Sequence, residues 1–305
     1  MSTDTALSAA PTTARRRAAG PNRRLWQIVS RERQFQVGLI LLIVLVGTAV
    51  IYPHLSSLSV TQMAIKERFM PPVFLPGGHW LHPLGTDQLG RDLFLRALVG
   101  LQNALAIGVS SVILMFAIGA VVGLISGYYA GWVDTVLMRI TDAQLAVPVI
   151  ILAITILTVH RPTPELVTFV LALAGWPAYA RITRSVTLSE RSREYVRGAK
   201  ILGASNLRII FQLIAPNVLP PIAFGAVLDI ARMMIFEAVL GFIGIGVQPP
   251  TPTFGNIISD GQKYLINAWW IATMPGAFLL LTLLGINLIG TSIEQARTKV
   301  LGGTA

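Results

Sequence analysis

The chain contains no cysteine, which rules out disulfides, thiol nucleophiles and thiolate metal sites. Charge is also scarce. Only 12% of the 305 residues are Asp, Glu, Lys or Arg against 53% apolar, a balance far outside that of water-soluble domains and one that marks an integral membrane protein. None of Lys66, Lys200, Lys263 and Lys299 is followed by Ser or Thr, so no Walker-type phosphate loop is present and any ATP that drives the protein is hydrolysed elsewhere. GxSxG and HExxH are missing too, which removes the nucleophile of a serine hydrolase and the ligands of a zinc protease. His79 and His82 lie three apart in a turn-rich stretch without a third ligand, a pattern that makes turns more often than a zinc site.

What remains is apolar and helical. Six runs are long enough to cross an apolar layer of about 30 Å, at 36–54, 104–126, 140–159, 164–182, 219–246 and 270–291. The basic residues orient them. Arg15, Arg16, Arg17, Arg23, Arg24, Arg31 and Arg33 precede the first run, and Arg181, Arg184, Arg191, Arg193, Arg197, Lys200 and Arg208 cluster after the fourth. Adding Arg139, Arg297 and Lys299 on the same side leaves only Lys66, Arg68, Arg91, Arg96, Arg161 and Lys263 on the other, so both termini are expected in the cytoplasm. The net charge of +10 then reads as topology and attraction to anionic lipid; no aromatic-interleaved groove suggests nucleic acid. The first 25 residues, rich in Ala, Thr, Ser and Arg, read as a disordered tail, and the run from Phe35 is too long for a cleaved signal.

Three segments carry more information. From Glu194 to Pro221 the chain predicts two amphipathic helical halves joined at Gly203: Tyr195, Val196, Ala199 and Leu202 on the first, Leu207, Ile210, Phe211 and Ile214 on the second, with Ser205 as a cap and Pro216 as the end. Such a segment either docks on another protein or lies on lipid. Between the first two runs, His82–Gly100 (HPLGTDQLGRDLFLRALVG) predicts a helix starting near Gln88, capped by Thr86 or Asp87, with Asp92 and Arg96 as an i, i+4 pair on its wet side. In the fifth run Asp229 and Arg232 lie about 15 to 20 Å deep, where charges pair with each other or face a water-filled path. Glu237 falls near the outer end of that run, as a gate or an interface contact. Gly119, Gly123 and Gly127, four apart, form a stripe on which another helix packs closely. Pro249, Pro250 and Pro252 interrupt the chain before a short amphipathic piece, and Trp269 and Trp270 fit an interfacial belt.

The Gly203 segment resembles the EAA loop of ABC importer permeases: Arg197, Gly198 and Ala199 stand at the Glu-Ala-Ala triplet, and Leu213, Ile214, Ala215 and Pro216 at the closing Ile-x-Leu-Pro. Arg197, Gly198, Leu213 and Ala215 depart from that pattern. Gly85, Thr86, Asp87, Gly90, Arg91, Asp92, Arg96 and Gly100 are similar to the signature of the C-type permease subunit of the dipeptide, oligopeptide and nickel importer family. Leu145, Ala146 and Pro148, then Glu237–Pro252 with Phe254 and Gly255, resemble further motifs of that family in the same order.

The resemblance implies an all-α integral membrane protein with six transmembrane helices of the type I importer permease fold. It implies a tail at 1–34, a first helix and outer loop at 35–103, a five-helix core at 104–295 with its coupling loop at 187–216, and a C-terminal tail at 296–305. Arg197, Gly198, Ala199, Gly203, Ala204, Ser205 and Pro216 would couple to an ATPase. Gly85, Thr86, Asp87, Gly90, Arg91 and Asp92 would dock an extracytoplasmic solute-binding protein, and Asp229, Arg232 and Glu237 would border the translocation path. The implied partners are a paralogous B-type permease, two ATPase subunits or domains that hold the ATP and Mg, the binding protein, and lipid of a bacterial or archaeal cytoplasmic membrane. The chain itself needs no cofactor. Cargo stays open among dipeptides, longer peptides, nickel, opines and oligosaccharides, with short peptides the commonest. A stand-alone ion-coupled carrier is the competing class; it is expected to show inverted repeats with ion-coordinating acids in both halves, which the chain does not.

Overall fold

Helices form where the apolar runs predict them, but most extend well beyond. A computed structural model describes residues 26–302, in which the only β-type pairing is an isolated bridge between Thr86 and Asp92. The expected tail over residues 1–25 lies outside the described residues. The helices are α1 (Arg33–Leu55), α2 (Leu93–Tyr129), α3 (Gly131–Leu145), α4 (Val149–Val159), α5 (Pro164–Arg191), α6 (Glu194–Ile201), α7 (Ala215–Phe242), α8 (Phe254–Gln262) and α9 (Trp270–Gly302). Four of them, α1, α2, α5 and α9, are long and apolar enough to cross a membrane, and the bent pair α3–α4 makes a fifth if it is one span. α7, over the fifth expected span, is 28 residues long and carries Asp229, Arg232 and Glu237.

α2 runs for 37 residues, about 55 Å, and the capped helix expected from near Gln88 forms its first two turns. The boundary expected at 103/104 therefore falls inside α2, and the one at 295/296 falls inside α9. The expected third span is broken: Pro148 stands between α3 and α4, which meet at 81°, because a proline pushes the residue before it out of helical geometry. The Leu145, Ala146, Pro148 motif is thus a bend.

Packing centres on α2 and α5. A methyl group at Gly119, Gly123 or Gly127 would come within 2.4, 2.5 and 2.7 Å of Tyr179, Thr183 and Thr187, so the absence of side chains on the stripe is what lets α5 lie along α2. Ser126 on α2, Asp134 on α3 and Arg184 on α5 close the same end: Arg184 reaches both Asp134 oxygens at 2.5 and 2.6 Å, and Ser126 donates to one of them at 2.5 Å. α1 packs through Gly38 against Gly285 and Leu288 of α9, while Val37, Ile40, Ile43, Val44 and Ile51 point outward. An outer apolar face of this kind suits lipid. Val29 and Glu32 attach the chain before α1 to α9, through Ala296 and a 2.6 Å contact with Lys299.

Candidate functional site

Three places collect the residues singled out above. The first is the Gly203 loop. α6 ends at Ile201, Gly203 takes φ +83°, and the hydroxyl of Ser205 accepts from the Arg208 N–H at 3.4 Å to start the next helical turn, as the spacing predicts. Pro216, however, does not end that helix. Residues Ile209–Ile214 form a π-helical turn that runs into α7, and the wider turn places Pro216, which has no N–H to give, in the first turn of α7, where none is required. The apolar faces also divide differently from expectation. Val196, Ile209, Ile210 and Ile214 are buried, whereas Leu207 and Phe211 point out beside Ile201 and Leu202, which are 86% and 88% exposed.

Next to this bare apolar tip lies a cavity of about 540 Å³ bordered by Tyr128, Tyr129, Arg191, Arg197, Lys200 and Asn206. The Tyr128 hydroxyl donates to Asn206 Oδ1 at 2.8 Å, which ties the loop to the end of α2. Tyr195 donates to Glu190 at 2.7 Å; burial, then this bond to a carboxylate, pushes its phenol above the ordinary tyrosine range. Gly198 and Ala199 are half-buried on α6, and Ala204 follows Gly203 in the turn.

The second place is the Gly85–Asp92 loop, where geometry departs most from the periodicity. The helix starts at Leu93, five residues after Gln88, and its cap is Asp92, whose Oδ1 accepts from the Leu95 N–H at 2.6 Å. Asp92 is not paired with Arg96; its other oxygen lies 2.8 Å from His82 Nδ1. Asp87, rather than capping a helix, folds its own turn by accepting from the Leu89 and Arg91 N–H groups at 2.8 and 3.0 Å. Its second oxygen takes the Arg91 guanidinium at 2.6 Å, with Arg96 at 3.6 Å, and Arg91 continues to Asp260 of α8 at 3.5 Å.

None of this is wet: Asp87, Arg91, Asp92 and Arg96 are between 1% and 7% exposed. Burial pushes the Asp92 carboxyl up, against the Leu95 and His82 hydrogen bonds that pull it down. Thr86 is fully buried; its hydroxyl donates to the Glu67 carbonyl and its own carbonyl accepts from Trp270 Nε1 at 3.3 Å. Trp270 is therefore part of this packed loop. Gly85 and Gly90 take φ +80° and +74°, and a Cβ at either would strike the backbone of Met70 or Ala64.

The third place is on α7. Asp229 Oδ1 lies 2.9 Å from Arg232 Nη1, and Asp229 Oδ2 accepts from the Tyr179 hydroxyl of α5 at 2.6 Å. Both residues open on a cavity of about 520 Å³ that Gly225, Leu228, Glu294 and Arg297 also line. Glu237 does not share it. It is fully buried, with no hydrogen bond to either carboxyl oxygen, on the face of α7 that one turn later brings Gly241 against Gly255 and Thr253 at the start of α8. Sequence reasoning missed Tyr179, His82 and Asp260, since each meets its partner across 10 to 170 or so positions of chain and no local spacing announces such contacts. Among the described residues no group of His, Asp and Glu suited to a metal is found.

A buried polar loop at one end, a bare apolar turn at the other and a charged cavity between helices fit a membrane transport component. Residues 119–299 match the family described as binding-protein-dependent transport system inner membrane component. The chain belongs to that family. It is 33% identical to the dipeptide transport system permease protein DppC of Haemophilus influenzae over 96% of this chain and 97% of that one. With the di/tripeptide transport system permease protein DppC of Pseudomonas aeruginosa it shares 33% identity over 93% and 94%. A solved structure of the MetNI methionine ABC transporter in an inward-facing conformation is similar in fold, with a TM-score of 0.54 at 18% identity, over 68% of this chain and 96% of that chain.

Proposed function

We propose that this chain is one half of the transmembrane pore of an ATP-driven importer for di- or oligopeptides, moving solute by alternating access. The observation that carries the reading is the Gly203 loop: Ile201, Leu202, Leu207 and Phe211 stand exposed around a left-handed glycine and beside Arg191, Arg197 and Lys200. Exposed apolar side chains rimmed by charge mark a protein contact. The partner is a separate ATPase subunit, which supplies ATP and Mg, and Arg197, Gly198, Ala199, Gly203, Ala204, Ser205 and Pro216 form the element that receives its motion.

In this reading α7 and the bent α3–α4 pair join α1, α2, α5 and α9 to give six crossings, with both termini in the cytoplasm of a bacterial cell. A B-type permease completes the pore. The Gly85–Asp92 motif acts on the external binding protein indirectly: its buried charges hold the loop on which Ile65, Phe74, Trp80 and Leu81 are exposed for docking. Asp229 and Arg232 face the path, and Glu237 belongs to the α7–α8 contact. Peptide cargo is taken from the relatives named for dipeptides and di/tripeptides.

Reconstitution tests the whole. The chain, its B-type partner, the ATPases and the binding protein are placed in proteoliposomes, and labelled dipeptide uptake is measured. Uptake that needs ATP and the binding protein supports the reading; uptake driven by an ion gradient without ATP overturns it.

A further inference from the structure

The charged pair on α7 is not symmetrical. Asp229 and Arg232 stand about 21 and 26 Å from the first residue of α7, in the middle of a helix about 42 Å long. Both oxygens of Asp229 are engaged, one by Tyr179 and one by Arg232, and its side chain is only 19% exposed. Tyr179 is itself fixed: it is buried against Gly119 of α2, and its ring meets Phe116 edge-on with centroids 5.7 Å apart. Arg232 spends one N–H on Asp229, and its side chain is 67% exposed. A guanidinium has five such donors in a planar fork. The pair is therefore a cation held in place by an anchored anion, and what it offers to the cavity is positive.

The other end of the cavity is set by α9. Arg297 Nη1 donates to the Pro221 carbonyl at 3.0 Å, about 16 Å from Arg232 along α7, while Gly290 packs on Leu228 and so sets Glu294, one turn on, about 12 Å from Arg232. An extended peptide covers about 3.5 Å per residue, so a dipeptide whose carboxylate lies on Arg232 does not reach Arg297.

We propose that Arg232 receives a carboxylate of the transported solute, and that Asp229 and Tyr179 are positioning residues that hold the guanidinium without touching the solute. The assignment rests on the importer reading above. A planar fork matches a carboxylate with two parallel hydrogen bonds, and a charge at this depth is retained only toward a partner or a water-filled path. An ammonium group, by contrast, is repelled by Arg232 and finds the Asp229 oxygens occupied. At Arg232 the site thus selects for a free carboxyl end.

The test uses the missing cysteines. Gly225 lines the cavity and a Cβ there meets nothing within 4 Å, so G225C places the only thiol of the chain beside the site. Inside-out membrane vesicles holding the complete importer are treated with a maleimide in the presence of Ala-Ala, its C-terminal amide, or N-acetyl-Ala-Ala. Ala-Ala and the N-acetyl peptide should slow labelling and the amide should not. R232Q in the same background should raise the half-protecting concentration about tenfold or more, the effect of losing a charge-assisted bond. R232K should keep the preference for acid over amide at lower affinity, and Y179F should weaken protection a few-fold without changing the preference. Co-purification of the ATPases reports assembly, and if R232Q fails to assemble the R232K comparison decides. Equal protection by acid and amide, no protection by any of the three, or protection untouched by R232Q overturns the assignment. Absence of ATP-driven release of labelled dipeptide, loaded with the binding protein into the lumen of the same vesicles, by the unsubstituted importer overturns the importer reading instead.

Discussion

In the outer loop Asp87, Arg91, Asp92 and Arg96 are buried and bonded to one another's neighbours, while in the Gly203 loop Ile201, Leu202, Leu207 and Phe211 lie in the open. Each loop inverts the usual distribution, in opposite senses. A buried charge cluster whose Asp87 and Asp92 carboxylates are bonded within the chain fixes one geometry, although Arg96 Nε and Nη1 have no hydrogen-bond partner among the described residues. An exposed apolar tip is incomplete until something covers it. On the proposed reading, rigidity falls to the end that would present a surface to an arriving binding protein, and an open contact to the end that would follow a moving ATPase.

The sharpest way to break this comparison is to remove Arg91. R91A removes the nearer of the two cations beside Asp87 and leaves it only Arg96 at 3.6 Å; loss of one member of a buried pair costs roughly 3–5 kcal/mol. Thermal unfolding in nanodiscs should show that loss together with weaker docking of the binding protein; an unchanged midpoint would mean that the cluster does not hold the loop. The same kind of change at the other end should behave oppositely. L202D combined with L207D alters side chains that touch little, so the melting midpoint should hold to within about 0.5 kcal/mol. Affinity for the ATPase should nevertheless fall about tenfold or more, as for central apolar contacts of an interface. A large drop in stability with normal ATPase binding would reverse the roles of the two loops.

Smaller effects sharpen the picture. G203A meets no atom but forces an alanine into φ +83°, which costs about 1–2 kcal/mol. Faster amide exchange across α6, with uptake reduced, is the expected result; slower exchange would contradict the turn. Asp92 tests the outer loop through pH. Its folded value is raised by burial, so the stability linked to its protonation is present below the ordinary aspartate range and is lost as pH rises through that raised value. D92N, which cannot ionise, should flatten the dependence of the midpoint on pH in that interval, and an unaltered slope would show that another group titrates there.

Local pattern made much of this readable in advance. The apolar runs mark the long helices, Gly203 and Ser205 mark the turn between two helical halves, and the Gly119, Gly123, Gly127 spacing marks the helix contact, since each is a consequence of residues a few positions apart. Asp92 and Arg96 show where such reading stops. Their spacing permits a pair, yet Asp92 is taken by the Leu95 amide and His82 while Arg96 turns to Asp87. Pro216 shows a second limit, because a π-helical turn upstream shifts the backbone register and lets the helix run on. Trp270 bonding to Thr86 and Tyr179 bonding to Asp229 depend on the folding of distant segments onto each other, which no spacing in one chain encodes.

The central claim is that the Gly203 loop is the seat of a moving ATPase, and the absence of native cysteine makes it directly testable. A single S205C is paired with one cysteine in the groove of a candidate partner ATPase, and cross-linking is followed in membranes with and without ATP. The account predicts a bond whose yield changes with ATP. Labelling of S205C from the cytoplasm with no cross-link to the ATPase in either state would contradict it and leave the loop as a lipid-facing surface.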